Sequence, residues 1–194
     1  MQDTIKSLVE ACRSCLGTDH AARDVRQVVA DAIADHQGLV SELGQPARAG
    51  IQRLHVADDL TVLNVIWAPR MTLRPHNHNM WAVIGVYAGR EDNIFWRRSE
   101  PQSAGIIEAA GARSLGPGDV FPLGRNIIHS VTNPTSGFTG AIHVYGGDFF
   151  TTERSEWDPA HLTEKPYNLE QNMKLFQESN AMWAESAAQK SQSN

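Results

Sequence analysis

Cysteine is scarce in this chain, with only Cys12 and Cys15 among 194 residues. Their C-x-x-C spacing is that of redox and zinc motifs, yet no second C-x-x-C is present to complete a zinc site and no βαβ pattern surrounds the pair. Both fall in an amphipathic pattern with Ile5, Leu8, Val9 and Leu16 at three- and four-residue steps. They are therefore expected to pack a helix as small apolar residues. Basic runs are missing as well, and the formal charge is -5. That excludes the concentrated positive surface a nucleic-acid partner requires. Long apolar runs are absent too: the start, MQDTIKSLVEACRSCLG, has acidic residues early and no uninterrupted hydrophobic core. Neither a secretory signal nor a spanning helix is expected, and the expected location is cytoplasmic without a membrane partner.

What is present is globular in kind, with 41% hydrophobic and 20% charged residues. The length suits one domain with a real core. Helical periodicity covers about residues 3 to 16 and 22 to 35, the second through Val25, Val28, Val29, Ala32 and Ile33. From about Ile51 the texture changes to short β-rich runs separated by Gly, Pro, Asn and Asp, among them LTVLNVIWA, MWAVIGVYAG, NIFWRR, IIHSVT and FTGAIHVYG. Strands at this density predict an all-β barrel or sandwich. Beyond Pro166 the chain turns helical again, with Leu169, Met173, Phe176, Met182 and Trp183 on one apolar side, before the small polar tail AAQKSQSN, which is expected to fray. The expected division is N-terminal helices over 1–45, a β-barrel over 50–157 and a C-terminal helix over 165–186, all within a single domain of 1–194. GVYAGRED reads as a strand end and hairpin turn, WRR as a solvated strand edge, and Trp81 and Trp96 as barrel-wall aromatics. Gly85 reads as a bulge, or as room beside a bound metal.

The chemistry concentrates in RPHNHN. Alternate side chains of an extended strand share a face, so His76 and His78 point the same way with Asn77 turned from them. Two imidazoles at one point suit a metal, which needs a further ligand. GPGDVFPLGRNIIHSVTN provides a candidate in His129, entered through Gly116, Pro122 and Gly124 and followed by Asn133. His20, His36, His55 and His161 have no such pattern and are expected to be packed or on the surface.

These two stretches resemble the paired motifs of the cupin superfamily, with departures: Arg70 stands where a glycine begins the first motif, and four residues separate Gly124 from His129 where two are usual. The resemblance implies a mainly β fold, the cupin double-stranded β-helix or jelly-roll barrel, with flanking N- and C-terminal α-helices. The glutamate that ordinarily follows the histidine pair is missing, since Asn79 to Val83 contain no acid and the next is Glu91. A three-histidine site without a carboxylate resembles the thiol dioxygenase branch, which includes cysteine dioxygenase and 3-mercaptopropionate dioxygenase. That branch carries a Ser-x-His-x-Tyr motif; AIHVYGG places His143 and Tyr145 on it, with Ala141 in place of the serine.

The resemblance implies Fe(II) on His76, His78 and His129, catalytic roles for His143 and Tyr145, and dioxygen and a small thiol carboxylate as the partners. Arg154 lies where 3-mercaptopropionate dioxygenases hold the carboxylate, and Arg53 where cysteine dioxygenases do. A site using both would suit mercaptosuccinate. The tyrosine–cysteine crosslink of mammalian-type cysteine dioxygenase is not expected, because the only cysteines lie in the first helix. Two other readings stay open. One is a cupin metalloenzyme of different chemistry, an isomerase, lyase or ring-cleaving dioxygenase, since three histidines with an open position also describe catalytic zinc. The other is a non-catalytic cupin that binds a small molecule. Monomer and homo-oligomer are equally compatible with the sequence.

Overall fold

In a computed structural model that describes residues 4–99 and 105–192, two antiparallel sheets carry the β-rich middle of the chain. The strands are β1 (Gly50–Val56), β2 (Thr61–Trp67), β3 (Thr72–Asn77), β4 (Ala82–Ala88), β5 (Glu91–Arg98), β6 (Ile107–Leu115), β7 (Val120–Leu123), β8 (Ile128–Thr132), β9 (Thr139–Tyr145), β10 (Ser155–Trp157) and β11 (Glu164–Pro166). One sheet runs β1-β2-β9-β4-β7 and the other β11-β10-β3-β8-β5-β6. From β2 to β5, and again from β7 to β10, successive strands alternate between the two sheets, which winds the chain as a double-stranded β-helix. The expected fold class is the observed one.

Sequence and burial agree strand by strand. β9, TGAIHVY, is buried along its whole length. Alternation sends Ala141 and Tyr145 into the barrel with Leu63, Val65, Trp67 and Ile84, while Ile142 and Val144 join Val62 and Val83 on the opposite face. That second face is covered by α1 (Thr4–Ser14), α2 (Ala21–Ala34) and α3 (His36–Leu43), through Leu8, Cys12, Val25, Val29, Ile33 and Leu39. A sheet covered on both faces needs strands that are apolar on both, which is why β2 and β4 read as nearly continuous apolar runs. Each fully buried aliphatic side chain contributes about 1.5–3 kcal/mol. Cys12 is fully buried here and its thiol is pushed up to about 12 by burial, so it packs rather than reacts.

Local chemistry closes the helix ends. The Glu42 carboxylate accepts from the amides of Thr4 (2.8 Å) and Ile5 (3.1 Å) at the start of α1, and Asp35 Oδ1 accepts from Gly38 N (3.0 Å) in α3. The final helix, α4 (Leu169–Gln192), starts on Asn168, whose Oδ1 accepts from Gln171 N at 2.9 Å. α4 lies against the barrel: Phe176 stacks on Trp67 with ring centres 5.4 Å apart, and the Asn180 amide makes two hydrogen bonds to the Ala49 backbone.

Several expectations are corrected. GVYAGRED is not a hairpin, because β4 and β5 belong to different sheets; it is a crossing corner that delivers Glu91 to the interior at 0% exposure. WRR is not a sheet edge, since β5 lies between β8 and β6, although Arg97 and Arg98 are exposed and ion-paired with Glu108 and Glu164. Gly85 makes neither a bulge nor room for a metal: a Cβ there would lie 2.4 Å from Val29 Cγ1, so the glycine lets α2 close on β4. Met182 is not on the buried side of α4 but 70% exposed, whereas Phe176 is buried. The C-terminal helix begins at Leu169 rather than 165, after β11, and continues to Gln192 through most of the tail expected to fray. Gln2, Asp3 and the last two residues lie outside the described residues. No helix among the described residues is long and apolar enough to cross a membrane.

Candidate metal centre

β3 and β8 are neighbours in one sheet, and their register sets His76 directly opposite His129. His78 follows one residue past the end of β3, its ring centre 5.1 Å from that of His76. The outcome is a cluster of three buried imidazoles whose ligand atoms all lie within 4.8 Å of one another. Nε2 of His78 is 3.3 Å from Nε2 of His76 and 3.3 Å from Nε2 of His129. Burial is the main force pushing all three imidazoles down from their ordinary value, to about 4 for His76 and well below the usual range for His78 and His129. Burial thus favours the neutral form of all three.

The hydrogen bonds behind the cluster determine which nitrogen faces inward. His76 Nδ1 lies 2.9 Å from the Arg74 carbonyl, which only accepts, so Nδ1 carries the proton and Nε2 keeps its lone pair. His129 Nδ1 donates in the same way to Asn93 Oδ1 at 2.7 Å. The Asn93 amide has its orientation determined in turn, because its Nδ2 donates to Glu91 Oε1 at 3.0 Å. Two inward lone pairs therefore meet a third imidazole, and a single N–H from His78 could satisfy only one of them. A divalent cation satisfies all three. The donor set fits such an ion, and imidazole suits Zn, Cu, Fe and Ni alike.

β9 brings His143 and Tyr145 to the same cavity. His143 Nδ1 is 3.0 Å from the Tyr145 hydroxyl, and the Tyr145 ring lies edge-on to His78 with centres 5.0 Å apart. Burial raises the Tyr145 hydroxyl above its ordinary value, with the charge of Arg154 acting in the opposite sense. Ala141, on the same face of β9, offers nothing to His143; its Nε2 lies 3.3 Å from Glu91 Oε2, which also accepts from Trp67 Nε1 at 2.9 Å. Burial pushes the Glu91 carboxyl up, but the bonds from His143, Asn93 and Trp67 outweigh it and hold the group below its usual range. Glu91 is thus the nearest acid in sequence to the histidine pair, yet both of its oxygens are engaged away from the imidazole cluster.

The cavity in front of the imidazoles is walled mainly by apolar side chains, among them Leu63, Val65, Trp67, Phe149 and Phe176, with Tyr167 and Asn172 also lining it. The buried Arg154 lies one layer behind, its guanidinium carbon 4.1 Å from the ring centres of both Phe149 and Tyr167. Its Nη1 donates to the Phe149 carbonyl, while Nε is buried without a partner among the described residues. Arg53 stands apart: it is exposed on β1 with its guanidinium 3.9 Å from the ring centre of Phe150, and it does not line the cavity. His20, His36 and His161 are exposed and His55 is half-buried.

Several site residues had no motif to announce them. Glu91 and Asn93 share one face of β5 through period-two alternation, a signal present in GREDN once β5 is known to be interior. Asn172 on α4 donates from Nδ2 to Glu156 Oε2 (2.6 Å) and the Asn168 carbonyl (2.9 Å), leaving Oδ1 as a second buried atom without a partner among the described residues. Glu156 lies opposite His76 on β10 at 0% exposure, paired with Arg74 and Lys165.

No family model matches the chain. Solved structures to which it is similar include cupin proteins. An RmlC-like cupin from Methanocaldococcus jannaschii aligns with a TM-score of 0.44 at 9% identity, over 55% of this chain and 85% of that one. A recombinant oxalate oxidase in complex with glycolate aligns with a TM-score of 0.41 at 15% identity, over 53% of each chain. Oxalate decarboxylase from Bacillus subtilis aligns with a TM-score of 0.42 at 14% identity, over 54% of this chain and 27% of that one. The chain thus spans about half the oxalate oxidase and about a quarter of the decarboxylase, and at these scores neither lends it a substrate.

Proposed function

We propose that this protein is a non-haem Fe(II) thiol dioxygenase that oxidises a small mercapto-carboxylic acid to its sulfinate with dioxygen. One observation carries the reading: three imidazole Nε2 atoms converge without an acid among them, beside a tyrosine hydroxyl bonded to His143. An all-neutral ligand set leaves the full charge of a divalent ion to favour an anionic thiolate. When bound, the iron supplies open coordination positions and the electron chemistry that dioxygen requires.

The chain's own groups have separable tasks. His76, His78 and His129 hold the ion, with Arg74 O and Asn93 orienting two of them. The apolar wall excludes water, which strengthens every electrostatic contact inside. Tyr145 presents its hydroxyl to the reacting end of the substrate, and His143 holds that hydroxyl in place. Arg154, its guanidinium against Phe149 and Tyr167, supplies positive charge for the carboxylate. The unpartnered Arg154 Nε is a donor suited to a carboxylate; the unpartnered Asn172 Oδ1 is an acceptor suited to an N–H or O–H. Together they favour a mercapto acid that also bears a donor, as cysteine does, over bare 3-mercaptopropionate. Mercaptosuccinate is disfavoured by the exposed position of Arg53.

Anaerobic loading with Fe(II), followed by oxygen uptake with cysteine, 3-mercaptopropionate and mercaptosuccinate, tests the reading. Uptake with a sulfinate product is expected, and greatest with cysteine. No uptake with any of the three by iron-loaded protein would overturn it, and turnover of a different substrate by the zinc form would establish the other metalloenzyme reading in its place.

A further inference from the structure

Between the metal ligand His129 and the tyrosine Tyr145 runs an unbroken chain of buried hydrogen bonds: His129 Nδ1 to Asn93 Oδ1 at 2.7 Å, Asn93 Nδ2 to Glu91 Oε1 at 3.0 Å, Glu91 Oε2 to His143 Nε2 at 3.3 Å, and His143 Nδ1 to Tyr145 OH at 3.0 Å. Glu91 sits at its centre and is 0% exposed. Trp67 Nε1, which can only donate, is bonded to the same Oε2 at 2.9 Å. Both carboxylate oxygens therefore face donors.

We propose that Glu91 is the positioning residue that sets hydrogen-bond direction throughout the site, holding His129 in its metal-ready tautomer on one side and aiming the Tyr145 hydroxyl on the other. Matching donors to acceptors leads there. An acceptor at Oε1 requires the Asn93 NH2 to face it, which turns Asn93 Oδ1 toward His129 and places the His129 proton on Nδ1. An acceptor at Oε2 requires an N–H on His143 Nε2, which fixes the ring so that its Nδ1 edge meets the Tyr145 hydroxyl and holds it in place. One buried carboxylate thus does what the motif serine, replaced here by Ala141, is not present to do, and it ties that end of the site to a metal ligand. The inference rests on reading His76, His78 and His129 as metal ligands, and is independent of which reaction follows.

Glu91→Gln is the informative substitution because it preserves shape and removes one acceptor. Trp67 cannot reverse its N–H, so the glutamine oxygen is drawn to the Trp67 and His143 side and its NH2 meets Asn93. Asn93 then flips, its NH2 faces His129 Nδ1, and the His129 proton moves to Nε2, where it points into the ligand cluster. Adding Asn93→Asp restores the pattern, since an aspartate accepts from both the introduced glutamine and His129. In the full-length protein, competition for Co(II) against a chromophoric chelator should show E91Q binding roughly 10- to 100-fold more weakly than wild type. The double variant E91Q/N93D should return to within a few-fold of wild type. Nitrogen-15 NMR of the metal-free proteins should find the His129 proton on Nδ1 in wild type and in the double variant, and on Nε2 in E91Q. Wild-type affinity in E91Q with His129 unchanged would overturn the proposal. So would a folded double variant that binds no better than E91Q, and, should E91Q not fold, a double variant that binds no Co(II). Wild type that binds no Co(II) would remove the metal reading itself, leaving the tautomers to decide the inference.

Discussion

His76 and His129 face each other across the β3–β8 ladder, and each turns its Nδ1 outward to an acceptor, the Arg74 carbonyl and the Asn93 amide oxygen. The pairing register brings the rings together, and the two acceptors decide that lone pairs rather than protons point inward. The readiness of this cluster for a metal therefore depends on strand pairing and on groups outside the three rings.

Substitution separates the ligands from their neighbours. His76→Ala and His129→Ala should each abolish stoichiometric metal binding measured by elemental analysis, while His143→Ala keeps it. Retention of one ion per chain in His129→Ala would remove that residue from the ligand set.

Tyr145→Phe should keep the metal and the fold yet lower kcat by roughly 100-fold, the lower range of what a positioned proton-bearing group contributes. KM should change little, because the hydroxyl acts at the reacting end and the carboxylate is held elsewhere. A variant with unchanged kcat would make Tyr145 a packing residue.

Arg154→Ala should lower kcat/KM for carboxylate-bearing thiols by about 10- to 100-fold, the scale of one charge-assisted hydrogen bond. Arg53→Ala should stay near wild type, since its guanidinium rests on Phe150 outside the cavity. Steady-state kinetics with a thiol that lacks a carboxylate supplies the control, where Arg154→Ala should cost nothing. Equal and negligible effects of both arginine variants would remove the clamp.

Stability of the metal-free protein should fall with acid. The folded pKa of His76 is lowered to about 4, while the unfolded residue titrates near 6.5. The unfolded state thus binds the proton first, so stability is full above about 6.5 and declines as pH falls toward 4. For His76 alone the loss is about 3 kcal/mol, and His78 and His129 act in the same direction. Urea unfolding at about pH 7 and about pH 4.5, on either side of the unfolded titration, measures it. Metal loading should stabilise the neutral-pH form further.

Much of this was legible in the sequence, and the part that was not has a physical reason. HNH and IIHSVT announced the three imidazoles because strand alternation is a local rule. Leu8, Cys12, Val25, Val29 and Ile33 announced the helical cover through helical period. Glu91 was hidden because its role depends on β4 and β5 entering different sheets, and a short Gly-containing corner looks the same whether the chain turns back or crosses over. Asn172 was hidden for a similar reason: its place at the cavity follows from how α4 lies against the barrel, a packing that helical periodicity does not specify. Met182 continued the apolar stripe of α4 on paper but is exposed, while Trp183 beside it packs edge-on to Phe138.

If the proposed chemistry holds, both atoms of dioxygen are added to a sulfur held at His76, His78 and His129. Turnover of a carboxylate-bearing thiol by the iron-loaded protein under oxygen-18 gas, with mass spectrometry of the product, reads this out. A sulfinate in which both oxygens carry the label is expected. A product with one labelled oxygen or none, or a disulfide as the sole product, would refute it.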